Sequence, residues 1–220
     1  MKTGILLINL GTPDAPRSPE VRRYLKQFLS DDRVLDLDPV LRWLLLRLVI
    51  LPFRSRKSAQ AYAKIWVKEG SPLLVYGRRL RDALTERFQA EGIPVTLGMR
   101  YGNPSIPSAM QELRDQGCDH LVVTPLYPQY ASSSSGTALQ VVYETAAQLW
   151  NTPSLTVVPA FYDRPEFIDA FAEIGRQLNA IQPQEAVFYS SGHAGLEASY
   201  LYALFARAMG HQNLPQSSNM

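Results

Sequence analysis

In this sequence three tyrosines, an arginine and a run of serines stand where apolar runs break into loops. Thr12 lies in "NLGTPD" (9–14), Arg100 and Tyr101 in "MRYGNP" (99–104), and Tyr127, Tyr130 and Ser132 to Ser135 in "LYPQYASSSSG" (126–136). Tyrosine rings offer flat apolar walls with a polar edge, and a guanidinium with neighbouring hydroxyls suits carboxylates. The set fits a large flat ligand with acidic edges. Read more plainly, the serine run is a flexible loop closed by a helix N-cap. A further tip, "SSGH" (190–193), carries His193, one of three histidines. A neutral imidazole there can accept a proton or bind a metal near neutral pH. The plainer reading is an exposed loop histidine.

The elements that hold these tips alternate strand and helix. "GILLINL" (4–10) is a continuous apolar run, as a strand buried on both faces requires. "SPEVRRYLKQFL" (18–29) starts a helix, with Ser18 as N-cap, Pro19 at the first helical position and Glu20 in the first turn. Helices follow over Val40–Leu51 and Ser55–Trp66, separated by Pro52, and from Pro72 to about Glu91. Strands are expected at 95–101, 120–127, 155–161 and 186–191. Between and after them come helices from Ser105 to Gln116, Gly136 to Leu149, 164 to 181 and 196 to 209. Such alternation implies βαβ units and an α/β fold, a parallel sheet flanked by helices. In sheets of this kind ligands bind beyond the carboxyl ends of the strands, where the loops above lie. The break at "QLWNTPS" (148–154) divides a first domain, 1–149, from a second over 150–220.

Composition excludes several classes. A net charge of +2 with both signs scattered gives no nucleic-acid footprint. The single cysteine, Cys118, excludes an internal disulfide framework and a four-cysteine metal or iron–sulfur site within the chain; it reads as a small core side chain. No G-x-G-x-x-G or Walker loop offers phosphate-cradling glycines. "MKTGILLINLGTP" lacks the form of a signal peptide, and Val40–Phe53 is too short and too charged to span a bilayer. A protein of the reducing cytoplasm is expected. His120 opens a strand at the end away from the ligand loops and reads as structural; His211 lies in a polar, solvated tail.

The stretches "LLINLGTPDAP", "YAKIWVKEGSPL", "MRYGNPSI" and "TPLYPQYASSSSGTAL" together resemble the ferrochelatase family, which inserts ferrous iron into protoporphyrin IX to make haem. "FYDRPEF" (161–167) extends the likeness. The resemblance implies two similar Rossmann-like α/β domains with the porphyrin in the cleft between them. Arg54, Tyr62 and Ser71 match porphyrin-contacting positions, and Arg100 and Tyr101 match an arginine–tyrosine pair at the cleft. Tyr130 and Ser133, on the third strand's tip, complete the candidate substrate-binding set. Protoporphyrin IX and ferrous iron are the implied substrates, with no resident cofactor and no iron–sulfur cluster. "LRWLLLRLVILPF" falls where the family has an apolar lip over the cleft, so Val40–Phe53 can rest on a membrane surface; a buried amphipathic helix is the alternative.

The implied mechanism bends the ring so that its pyrrole nitrogens are exposed, and a base takes their protons as iron arrives. In the family that base is a histidine after a second-domain strand. A two-residue insertion places His193 there, as catalytic base and metal ligand; a gapless alignment places Ser191. The likeness also implies a chain cut short after Met220, with an incomplete second domain, an unpaired sheet edge and low stability. The expected activity is haem formation, with a porphyrin-binding but catalytically inactive chain as the alternative.

Overall fold

The computed structural model describes residues 1–181. Apolar strand runs explain its centre. Strands β1 (Thr3–Thr12), β2 (Val95–Gly102), β3 (His120–Pro125) and β4 (Ser154–Val157) form one parallel sheet in the order β2-β1-β3-β4. Successive side chains of a strand point to opposite faces. Leu6 and Ile8 of β1 accordingly enter a core with α5 (Ile106–Asp115) and α6 (Thr137–Ala147), while Leu7 enters another beneath α4 (Pro72–Arg87). Burial on both faces is the reason β1 reads as an unbroken apolar run. In α5 the buried residues Ile106, Ala109, Met110 and Leu113 recur at the spacing of one helical face. Helix α1 (Ser18–Leu29) buries Val21, Tyr24 and Leu25 in the same way, against Leu46, Leu51 and Ala59.

Several boundaries differ from the sequence expectation. The helices expected on either side of Pro52 are one continuous rod: α2 (Pro39–Leu45), a π-helical turn (Leu46–Ile50) and α3 (Leu51–Ile65). Leu51 donates its N–H to the Leu46 carbonyl, one residue farther back than in an α-helix, just before Pro52, which has no N–H to give. The serine run is likewise a π-helical turn, Ser132–Gly136, leading straight into α6, and not a loose loop. Ser18 is the first residue of α1 rather than its cap. The fourth strand stops at Val157.

Met1–Ala160 form one compact unit and Phe161–Met220 a second. The first therefore runs past the expected boundary at residue 149, because β4 pairs with β3 in the same sheet. His120 secures that edge: its Nδ1 is 3.1 Å from Thr3 Oγ1 and its Nε2 2.9 Å from Thr156 Oγ1, joining three strands as a structural histidine. In the second unit α7 (Pro165–Ala180) opens on a cluster in which Phe167 meets Phe161 and Phe171 at centroid distances of 5.4 and 4.9 Å. The expected strand at 186–191 and helix at 196–209 lie outside the described residues.

Gly11, in the "NLGTP" stretch, sits at φ 111°, and a Cβ there would lie 1.7 Å from the Tyr101 carbonyl oxygen on β2. Both backbone conformation and close approach demand glycine. Gly11→Ala is expected to cost about 3 kcal/mol or more of stability. Urea unfolding followed by circular dichroism checks this, and an unchanged midpoint contradicts it.

Candidate functional site

At the carboxyl ends of β1, β2 and β3 the side chains are organised by one buried carboxylate, Asp31, in the segment after α1. Its Oδ2 accepts from Arg100 Nη2 at 2.5 Å, from the Tyr101 hydroxyl at 2.7 Å and from the Thr137 hydroxyl. The Arg33 backbone N–H donates to its Oδ1 at 2.9 Å. Arg100 Nε donates to Thr137 Oγ1 at 2.7 Å, which closes the network. The Asp31 side chain is 5% exposed and that of Arg100 16%. Burial pushes the Asp31 carboxyl upward. Hydrogen bonds from Thr137, Tyr101 and the Arg33 N–H, with the Arg100 charge, outweigh it and hold the group below its ordinary range.

The Arg100 guanidinium also lies 4.4 Å from the Tyr101 ring centroid. Its Nη1 makes no hydrogen bond among the described residues. Tyr101 is wholly buried, and burial, then its bond to Asp31, raises its phenol above the ordinary tyrosine value. Tyr127 is raised by burial too, and its buried hydroxyl has no partner among the described residues. Both rings stay neutral phenols at physiological pH. Tyr127 is thus a polar atom at the rim with a hydrogen bond still to make.

An aromatic chain ties this centre to α3. Tyr101 meets Phe28 edge-on at 5.1 Å, Phe28 stacks on Tyr24 at 6.0 Å, Tyr24 meets Tyr62 at 6.3 Å, and Tyr62 meets Trp66 at 6.4 Å. Two residues singled out from sequence, Tyr62 and Tyr101, are thereby linked through two that were not. Ser71 is buried and accepts from the Thr12 hydroxyl at 2.8 Å. Beside Ser71 a cavity of about 510 Å³ opens between Pro13, Trp66, Leu74 and Asn103.

The remaining candidates are more open. Arg54 is exposed on α3, and Ser133 is exposed in the π-helical turn. Tyr130 is 66% exposed, with its hydroxyl over Gly136. Arg33 braces this turn, donating to Ser132 Oγ at 3.1 Å and to Gln140 Oε1 at 2.9 Å. His193 and Ser191 lie outside the described residues. Sequence reasoning missed Asp31, Arg33 and Thr137. Asp31 stands beside Asp32 in "LSDDRV", and no spacing distinguishes the buried acid from the exposed one. Among the described residues, no group of three or more His, Cys, Asp or Glu side chains is arranged to hold a metal ion.

Removing one member of a buried ion pair leaves the other uncompensated. Asp31→Ala is expected to cost on the order of 3–5 kcal/mol. A carboxyl depressed by folding stabilises the native state above its unfolded value and loses that contribution as pH falls through the folded one. Wild-type stability should therefore decline on acidification below about pH 4, and Asp31→Asn should flatten that decline. Urea midpoints across the acidic range decide this; parallel curves for the two proteins would contradict it.

A family model, "Ferrochelatase", matches residues 2–199. Among curated relatives, the ferrochelatase of Coxiella burnetii (strain RSA 493 / Nine Mile phase I) is 45% identical over 192 residues, covering 87% of this chain and 53% of the relative. That of Klebsiella pneumoniae (strain 342) is 45% identical, covering 87% and 59%, and that of Escherichia coli O45:K1 is 48% identical over 171 residues, covering 78% and 53%. The chain spans about half the length of the curated relatives it matches. The matched span takes in the buried carboxylate, the aromatic chain and the glycine at the strand crossing, and on this ground the chain belongs to the ferrochelatase family.

Proposed function

We propose that this chain acts in the insertion of ferrous iron into protoporphyrin IX, with haem as product. Family membership supports the reaction class. The observation that carries it for this molecule is the Arg100–Asp31–Thr137 cluster beside the unpartnered Tyr127 hydroxyl at the strand ends. A flat ring with acidic edges needs apolar walls and a few fixed donors, and the rim supplies both. Tyr127 and Tyr130 offer ring faces, and the free edge of Arg100, Arg54 and the Ser133 hydroxyl offer donors. Tyr101 and Ser71, being buried, act by holding Arg100 and Thr12 in place.

Metallation requires the pyrrole nitrogens to lose their protons and turn toward the metal. A ring bent at the rim exposes those nitrogens, and in this reading His193 serves as base and iron ligand. Iron enters as a substrate, and the reading calls for no resident cofactor and no iron–sulfur cluster. It extends to peripheral membrane contact through Val40–Phe53, supported by the exposure of Val40, Trp43, Leu48 and Phe53. Among the described residues no helix is long and apolar enough to cross a membrane. A cytoplasmic location accords with the free thiol of Cys118.

Porphyrin binding without metallation is the second reading. It is favoured by one fact: all the substrate-binding candidates lie within Met1–Ala160, whereas the candidate base and iron ligand, His193, does not. Incubation of the full chain with protoporphyrin and ferrous iron or zinc is expected to yield metalloporphyrin, and His193→Ala to abolish it. Quenching of tryptophan fluorescence by porphyrin without product would establish the binding reading instead. Absence of both would overturn both.

A further inference from the structure

A hollow of about 470 Å³ lies between the outer face of α1 and the segment running from α2 into α3. Arg22 and Lys26 of α1 line it, with Arg42, Arg47, Trp43 and Leu46 of the lip, and no acidic side chain does. None of these four cations pairs with a carboxylate among the described residues. Arg22 and Lys26 stand four apart on one helix, where like charges repel. Arg42 Nη1 donates to the Leu35 carbonyl at 3.1 Å, and the Arg47 guanidinium rests 5.4 Å from the Trp43 ring centroid. Both lip cations are thereby fixed beside the hollow. Gathering four positive charges without an acid is unfavourable until an anion neutralises them.

The same lip exposes a strip of apolar side chains: Val40 at 66%, Leu48 at 63% and Phe53 at 77%, with the Trp43 ring half open. A soluble anion would neutralise the hollow and leave this strip in water. An anionic bilayer surface satisfies both, since its phosphate layer lies directly above an acyl boundary. Tryptophan suits that boundary because one edge is polar and the rest apolar. We propose that the hollow receives the phosphate of an anionic phospholipid headgroup while the strip enters the acyl boundary. The proposal rests on the membrane contact read above for Val40–Phe53 and adds to it a headgroup charge and the residues that select it.

Cosedimentation of the full chain with vesicles tests it, using phosphatidylcholine alone or mixed with phosphatidylglycerol. Tighter binding to the mixed vesicles is expected. Arg22→Gln with Lys26→Gln should weaken that binding about thirtyfold and leave neutral vesicles little affected. Leu48→Ser with Phe53→Ser should weaken binding to both. Circular dichroism verifies that each variant is folded. Equal affinity for the two vesicle types overturns the headgroup assignment and leaves the apolar contact standing. No binding to either removes both. If glycerol phosphate binds the chain and neither vesicle type does, the hollow is a site for a soluble phosphate and the lipid assignment fails.

Discussion

The burial of one carboxylate constrains the ligand-facing end of this protein. An ionised acid withdrawn from water is tolerated only when its oxygens are fully occupied. Asp31 meets that condition with donors from three separated parts of the chain: the end of β2, the start of α6 and its own turn at Arg33. None of these segments can shift without leaving a charge or a hydroxyl unsatisfied. The pair differs in kind from the exposed bridges on the same molecule, such as Arg17–Glu20, whose arginine is 73% exposed. Exposed pairs of that sort contribute about 0–1 kcal/mol.

From this point order spreads through aromatic contacts. Tyr101 is shared between the carboxylate and Phe28, and the chain of rings passes through Tyr24 to Tyr62 and Trp66. Edge-on pairs contribute roughly 0.5–1.5 kcal/mol beyond the area they bury. They couple the strand rim to the rod that carries the lip. Gly11 permits the arrangement, since β1 passes the Tyr101 carbonyl at a distance no side chain allows.

The sheet and its covering helices were legible because burial on both faces leaves an unmistakable apolar run in β1, and one-sided burial leaves the spacing of α1 and α5. Pro52 misled, since a π-helical turn before it absorbs the missing N–H. The strand at 155–161 was legible, but its pairing with β3, which carries the first compact unit on to Ala160, leaves no local pattern. At the site, Arg100, Tyr101, Tyr127 and Ser71 stood out by type and motif. Their partners did not: the Asp31–Arg100 pair spans 69 positions, and long-range pairing leaves no local pattern. Tyr101 and Ser71, read as ligand-facing groups in the sequence, are buried, Tyr101 donating to Asp31 and Ser71 accepting from Thr12.

The account holds that the strand rim, fixed by Asp31, is where a tetrapyrrole is held. A crystal structure of the full chain with protoporphyrin IX tests that most directly. The ring is expected against Tyr127, with a carboxylate at the open edge of Arg100. A ring bound elsewhere on the molecule, with the rim left bare, would contradict it.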